Sequence, residues 1–384
     1  MSSHVNLVTG AAGFSGSYVV RELLAKGERV LATDRADALA NPRVRETLAA
    51  TGMTLEHPNL KIQPADLLEP ESLKPLFANG VTRVYHTASL YDYSAPLEKL
   101  INVNVNGTKN LLGALGPDRY GKLDRFVHWS TCGVFGKPYT AADRGKTNVP
   151  FTEESPSPKT EAFGTEQPSG SELVNDYSIA KWQQEQIMWK EHRDNGLPLT
   201  VVRPAPIYGP GSTYGHGGII MAIANGIVPA IPTDAKNYIS ASVHVSDIAG
   251  FAVYIANKKD SLGQDYNIVD NSVVSYYEFV HYIALLTGRK LVDLPFINLR
   301  RARHVMIPAA KAMTWVTNRF GIKRVRVFEP QSANYVSSSY WLSNRKSLTT
   351  GYQYRYPEVR EGLKDTIAWM RENGWLTDKR RLFA

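Results

Sequence analysis

Short apolar runs alternate with longer amphipathic ones through the first 135 or so residues. The apolar runs predict strands at Val5–Thr9, Arg29–Thr33, Leu60–Gln63, Val81–His86 and Arg125–Ser130. Several are almost unbroken in apolar residues, as strands covered on both faces of a parallel sheet are. Helical spacing between them predicts helices over Ser17–Lys26, Glu71–Ala78 and Leu97–Leu115. Alternation of this kind predicts an α/β fold with a doubly wound parallel (Rossmann) sheet. Residues 137–175 break the rhythm with Pro, Gly, Ser, Thr and charge, and read as an irregular excursion. A long helix, Leu173–Asn195, and a strand, Leu199–Arg203, follow. Beyond Pro204 the order loosens, with helices at Val245–Asn257, Ser275–Thr287 and Tyr356–Trp375.

The first strand runs into Thr9-Gly10-Ala11-Ala12-Gly13-Phe14-Ser15-Gly16. A strand–turn–helix setting gives each glycine a task. Gly10 allows the tight turn, Gly13 lets backbone approach a pyrophosphate, and Gly16 lets helix and strand pack closely. Free N–H groups at the helix start attract the anion. The second strand ends at Asp34, whose carboxylate suits an adenosine ribose and repels a 2′-phosphate, so NAD is favoured over NADP. Arg35 beside it works the other way. The chain divides into a dinucleotide-binding domain, 1–203, with the insertion 137–175, and a smaller C-terminal α/β substrate-binding lobe, 204–384, interleaved with the first.

Composition narrows the setting. The 384 residues are 43% hydrophobic, enough for a sizeable core, yet no apolar run reaches the length of a membrane span. No signal-peptide pattern precedes the first strand. The single cysteine, Cys132, excludes an intrachain disulfide and any multi-cysteine metal site, and a reducing cytoplasm suits it. No metal site is expected. The formal charge of +8 is local: 289–326 holds ten Lys/Arg and one acid, Asp293. Such a patch attracts anionic lipid, an anionic substrate or nucleic acid, or is a plain solvated face.

Tyr177-Ser178-Ile179-Ala180-Lys181 sets a phenol and an amine four residues apart on one helix face. Hydride transfer at a carbinol carbon requires a proton moved at its oxygen. A neighbouring ammonium brings a phenol toward the pKa this needs. The same spacing recurs at Tyr254/Lys258, on a helix with an apolar face, and reads there as structural. The first copy follows the fifth strand, whose carboxyl end offers the Thr131 hydroxyl to the ligand crevice. Cys132 next to it has no basic partner in view and reads as a packed small residue.

Other stretches fall into the same frame: Asp66-Leu67, His86-Thr87-Ala88, Asn102–Thr108, Ser130-Thr131, Arg203-Pro204, Ile207-Tyr208-Gly209-Pro210 and Val243-His244-Val245-Ser246-Asp247. Together with the glycine turn and Tyr177/Lys181, they make most of the chain resemble the extended short-chain dehydrogenase/reductase family. The resemblance implies an NAD-dependent enzyme with Thr131, Tyr177 and Lys181 as its catalytic set and Asn104 supporting the site through the lysine and water. It implies cofactor contacts from Gly10, Gly13, Phe14, Gly16, Asp34, Arg35, Asp66, Leu67, Ala88, Tyr177, Lys181, Pro204 and Ile207. Relatives often pair through the helices bearing Asn104 and Tyr177, so a homodimer is expected. The gap from Thr131 to Tyr177 is longer than is usual in the family, which enlarges the loop over the site.

Within that family, members acting on nucleotide sugars commonly carry an asparagine at the place of Pro206 and an arginine at the place of Ser240. Losing an arginine removes a bidentate phosphate partner. The C-terminal third, with Leu294-Pro295-Phe296 and Tyr340–Tyr352, resembles the steroid branch: 3β-hydroxysteroid and sterol-4-carboxylate 3-dehydrogenases. The expected substrate is a secondary alcohol or ketone of a bulky hydrophobic molecule, with decarboxylation where a carboxylate sits beta to the new ketone, and no nucleic acid. The alternative is a nucleotide-sugar 4-epimerase or dehydratase with tightly bound NAD. In 296–326, Met306, Ile307, Met313, Trp315, Val316 and Phe320 lie among Lys311, Arg319 and Lys323. They either pack the small lobe or rest on anionic membrane, which would place a cytoplasmic protein at the membrane's inner face.

Overall fold

The computed structural model describes residues 4–136, 150–155, 173, 175–319, 337 and 339–376. Most of the predicted excursion 137–175 lies outside them. Seven parallel strands form the central sheet: β1 (Val5–Thr9), β2 (Arg29–Thr33), β3 (Leu60–Ile62), β4 (Arg83–His86), β5 (Arg125–Trp129), β6 (Leu199–Pro204) and β10 (Gln264–Ile268). Their order is β3-β2-β1-β4-β5-β6-β10. The order reverses between β1 and β4, the place where a doubly wound sheet opens a crevice at its carboxyl edge.

Leu7, Val84, Tyr85, Phe126 and Val201 are fully buried on these strands, which accounts for their continuous apolar runs. Several predicted elements shift at their ends. The predicted helix Glu71–Ala78 is one α-turn, Pro70–Leu73, continued as a 3₁₀ helix over Lys74–Asn79, with Pro75 interrupting the α pattern. Leu97–Leu115 is helical throughout, but Ile101–Asn106 is wound as a π-helix. The long helix begins at Asp176 instead of Leu173, because the Asn175 side chain caps it by accepting from Ser178 N at 2.8 Å.

Residues beyond 204 add to the central sheet and also build a core of their own. β10 completes the central sheet, and the helix Val245–Ile255 packs on the helix Phe14–Ala25. That core gathers around Tyr208, Ile220, Phe279, Ile283, Leu363 and Met370. Two short parallel pairs finish it: β7 (Ile207–Tyr208) with β9 (Val243–His244), and β8 (Ala230–Pro232) with β11 (Val292–Leu294).

Candidate active site

The glycine turn is built as its spacing predicts. Gly10 has φ +70°, and a Cβ there would lie 2.8 Å from Ala88 Cα. A Cβ on Gly16 would lie 2.1 Å from Gly10 O, so only glycine lets the helix sit this close. The turn's donors are spent inward: Ala11 N on Thr33 O, Gly13 N on Gly10 O, and Ala12 N on Asp34 Oδ2 at 3.0 Å. The helix Phe14–Ala25 that follows has no side-chain cap. Its first N–H groups therefore need an outside acceptor, and a pyrophosphate fits that need.

A cavity of about 690 Å³ runs from this turn across the sheet edge. Gly10, Gly13, Phe14, Gly16, Asp34, Arg35, Asp66 and Leu67 line one end, and Ala88, Thr131, Tyr177, Lys181, Pro204 and Ile207 line the rest. Asp34 also accepts from Arg35 N at 2.8 Å. Burial raises its carboxyl above the ordinary value, against those two backbone bonds. The Arg35 guanidinium turns to Asp37, 3.0 Å away. Asp66 Oδ1 accepts from Leu68 N at 2.8 Å, fixing the loop after β3.

Thr131 lies two residues beyond β5 and caps the short turn after it, accepting from Gly133 N at 3.3 Å. Tyr177 sits in the first turn of the helix Asp176–Asn195, with its ring 4.9 Å from that of Tyr91 and 5.6 Å from that of Tyr93. Tyr214 closes the cluster, 4.7 Å from Tyr91. Lys181 is 1% exposed; burial lowers its ammonium to about 7, with the Glu185 carboxylate opposing. Cys132 is buried and its thiol is pushed up to about 12, so it is no thiolate at neutral pH.

Asn104 is the one predicted site residue that does not line the cavity. It lies in the π-turn, and its side chain pairs with the backbone of Leu90: Leu90 N donates to Oδ1 at 2.6 Å, and Nδ2 donates to Leu90 O at 3.2 Å. Its hold is thus on the loop after β4. The second phenol–amine pair is elsewhere: Tyr254 donates to Thr350 O at 2.6 Å and carries Lys258 over its ring. Residues that the sequence did not single out also line the cavity, among them Tyr91, Tyr93, Tyr214, His216 and Tyr276. The aromatic content of 91–93 and 212–216 was their only signal in the sequence.

The chain is similar to several known proteins. The chain is 28% identical over 304 residues to tetraketide alpha-pyrone reductase 2 of Arabidopsis thaliana, covering 76% of this chain and 84% of that one. It is 26% identical over 375 residues to sterol demethylase protein B of Methylococcus capsulatus, covering 96% and 99%. The fold matches that of Thermus thermophilus UDP-glucose 4-epimerase, solved in complex with NAD, with a TM-score of 0.66, 20% identity and coverage of 96% and 99%. The NAD dependent epimerase/dehydratase family model matches residues 6–269, and the chain belongs to that family, an enzyme of the extended short-chain dehydrogenase/reductase type whose cofactor is NAD.

Proposed function

We propose that the protein is a dehydrogenase that oxidises a secondary alcohol on a bulky apolar, steroid- or lipid-like substrate. The observation that carries this reading is the cavity wall beyond Tyr177. It is built from Leu90, Tyr91, Tyr93, Tyr214, Ile219 and Tyr276. The segments 89–93 and 212–219 contain no lysine or arginine, and the first contains an acid, Asp92; besides Arg35 and Lys181, Lys99 is the lysine or arginine that lines the cavity among the described residues. A nucleotide sugar would bring a diphosphate there, which calls for cationic partners. An apolar ring system suits tyrosine faces instead. Similarity to sterol demethylase protein B over nearly the whole chain supports the same reading.

In this reading residues 1–203 hold most of the cofactor, and 204–384 share the far wall with Leu90, Tyr91 and Tyr93. Bound NAD supplies the hydride acceptor. Tyr177, as phenolate, takes the hydroxyl proton, and Thr131 orients the oxygen. Lys181, as ammonium, stabilises the phenolate. Where the substrate carries a carboxylate beta to the new ketone, carbon dioxide is lost with no further group required from the protein. The test is NADH formation at 340 nm on addition of 3-hydroxysteroids, other secondary alcohols and nucleotide sugars. Reduction with an apolar alcohol is expected. Epimerisation or dehydration of a nucleotide sugar, with NAD retained through purification and no alcohol oxidised, would overturn the reading.

The basic segment has a second part in this proposal. Phe296 is 98% exposed, Val305 73% and Trp315 66%, so these side chains do not pack into the small lobe. They stand on or beside the helix Leu299–Arg319, with Arg300, Arg301, Arg303, Lys311 and Arg319. Side chains of Met313 and Phe320, and Lys323, lie outside the described residues. No helix among the described residues is long and apolar enough to cross a membrane. The segment rests on an anionic lipid surface. Co-sedimentation with phosphatidylserine vesicles is expected at low salt and not at high salt. Absence of binding at low salt removes the idea.

A further inference from the structure

Gln184 follows Lys181 by three residues on the same helix and is fully buried. Its Oε1 accepts from Lys181 Nζ, and its Nε2 donates to Thr108 Oγ1 at 2.8 Å. The Thr108 hydroxyl donates to the Asn104 carbonyl at 2.7 Å. A hydroxyl has one proton, so Thr108 has only lone pairs left to offer Gln184. That fixes the amide with its nitrogen toward Thr108 and its carbonyl toward Lys181. The reverse orientation would set amide N–H groups against the ammonium.

His86 extends the chain of bonds. Its Nε2 lies 2.9 Å from Thr108 Oγ1 and 3.3 Å from Gln184 Nε2, and its Nδ1 lies 2.9 Å from Thr9 Oγ1. With the ring proton on Nε2, that N–H donates to Thr108 and the Thr9 hydroxyl donates to Nδ1. The other tautomer would let Nε2 accept from Gln184 Nε2, but it sets that nitrogen's lone pair against Thr108 Oγ1, whose proton is spent on Asn104, and it leaves the Thr9 hydroxyl proton without an acceptor among the described residues. Burial, then the Lys181 charge, lowers His86 to about 3, so its ring stays neutral. Thr9 also accepts from Ala88 N at 3.3 Å and immediately precedes Gly10. A directed series of hydrogen bonds therefore joins the glycine turn to Lys181.

The count of protons at Lys181 gives this series its use. One N–H is held by Trp129 O at 2.7 Å and another by Gln184. A neutral amine has only two N–H groups, and both would be consumed. An ammonium has a third, free for the cavity. We propose that Gln184 is a positioning residue: its carbonyl, oriented by Thr108 and His86, holds Lys181 as an ammonium with one N–H left for Tyr177 and the cofactor. The proposal rests on Tyr177 and Lys181 as the proton-handling pair.

Gln184→Met keeps the side-chain length and removes the acceptor. Lys181 then loses charge at neutral pH, and the phenol of Tyr177 loses its cation. The rising limb of kcat against pH is expected to move up by about one unit, with kcat at pH 7.5 down about tenfold and KM within about twofold. Gln184→Glu supplies a charged acceptor and is expected to move the Lys181 titration the other way, a reversal that simple loss of packing would not produce. Thr108→Val frees the amide to turn, and it should add little on top of Gln184→Met because it acts through Gln184. A readout independent of the substrate is proton uptake when NADH binds, measured by calorimetry in two buffers of different ionisation enthalpy. The wild type takes up a proton above pH 7 as Lys181 recharges, and Gln184→Met shifts this profile to lower pH. An unshifted profile in Gln184→Met, or a shift of the same sign in Gln184→Glu, overturns the role of Gln184. A shifted profile in a protein that oxidises no alcohol supports that role and overturns the dehydrogenase reading alone.

Discussion

Tyr177→Phe is expected to lower kcat by about two to four orders of magnitude, the usual contribution of a positioned acid–base group, and to leave NAD affinity within about twofold. The substitution removes one oxygen and keeps the ring. That ring packs against Tyr91 and Tyr93, so the aromatic wall survives and the variant stays folded. The glycine turn, the uncapped helix start and Asp34 stand at the other end of the cavity and are untouched. Steady-state turnover and calorimetric NAD binding, measured on the same preparation, separate the two effects. Turnover near wild type would remove Tyr177 as the proton acceptor. Loss of NAD binding along with activity would show that its hydroxyl holds the cofactor instead. The lysine requires a different expectation, because Lys181 is tied to the fold through Trp129 and Gln184 and its loss would disturb both.

What the sequence revealed, and what it hid, follows from where each signal resides. β1, β2, β4, β5 and β6 were legible because strands covered on both faces admit little but apolar residues. β10 was not, since Gln264, Asp265 and Asn267 interrupt any such run. Asp265 and Asn267 are tolerated there because each has a distant partner. Asp265 meets Arg203 and Lys346, and Asn267 donates to Phe151 O. Nothing local announces such partners. The helix over Leu97–Leu115 was visible in its spacing, but the π-turn that carries Asn104 was not. The resemblance gave Asn104 a supporting role through the lysine and water, and its side chain clamps Leu90. Its link to Lys181 runs from its backbone carbonyl, through Thr108 and Gln184. The glycine turn, Asp34 and the Tyr177/Lys181 pair were legible because their chemistry depends on short spacings within one turn or one helix. The tyrosine wall joins residues from 91 to 276, and only the folded chain brings them together.

Glu185→Ala is expected to cost about 3–5 kcal/mol, a large share of the roughly 5–15 kcal/mol that holds a typical domain together. Glu185 and Arg203 are 3% and 8% exposed at their side chains. The guanidinium reaches the carboxylate through Nη2 at 2.6 Å and Nε at 3.1 Å. The same carboxylate accepts from Ser130 Oγ and from Trp189 Nε1 at 3.1 Å. Burial alone would lower the Arg203 pKa, but Glu185 and Asp265 outweigh it, so the guanidinium stays charged. Without Glu185 it remains buried with Asp265 as its one remaining acid partner among the described residues. The penalty is that of a stranded charge and exceeds the net worth of the pair itself. Glu185→Gln keeps the volume and part of the hydrogen bonding and should lose less. Urea unfolding followed by tryptophan fluorescence gives the comparison, and an unchanged midpoint in Glu185→Ala would refute this account. The consequence reaches the cavity because Ser130 lines it, Arg203 precedes the lining Pro204, and Glu185 lies one turn beyond the lining Lys181. One buried cluster therefore registers β5, β6 and the helix bearing Tyr177 against each other. At urea concentrations where Glu185→Ala is still folded, its kcat should already be below that of Glu185→Gln, because the three walls are no longer held in common.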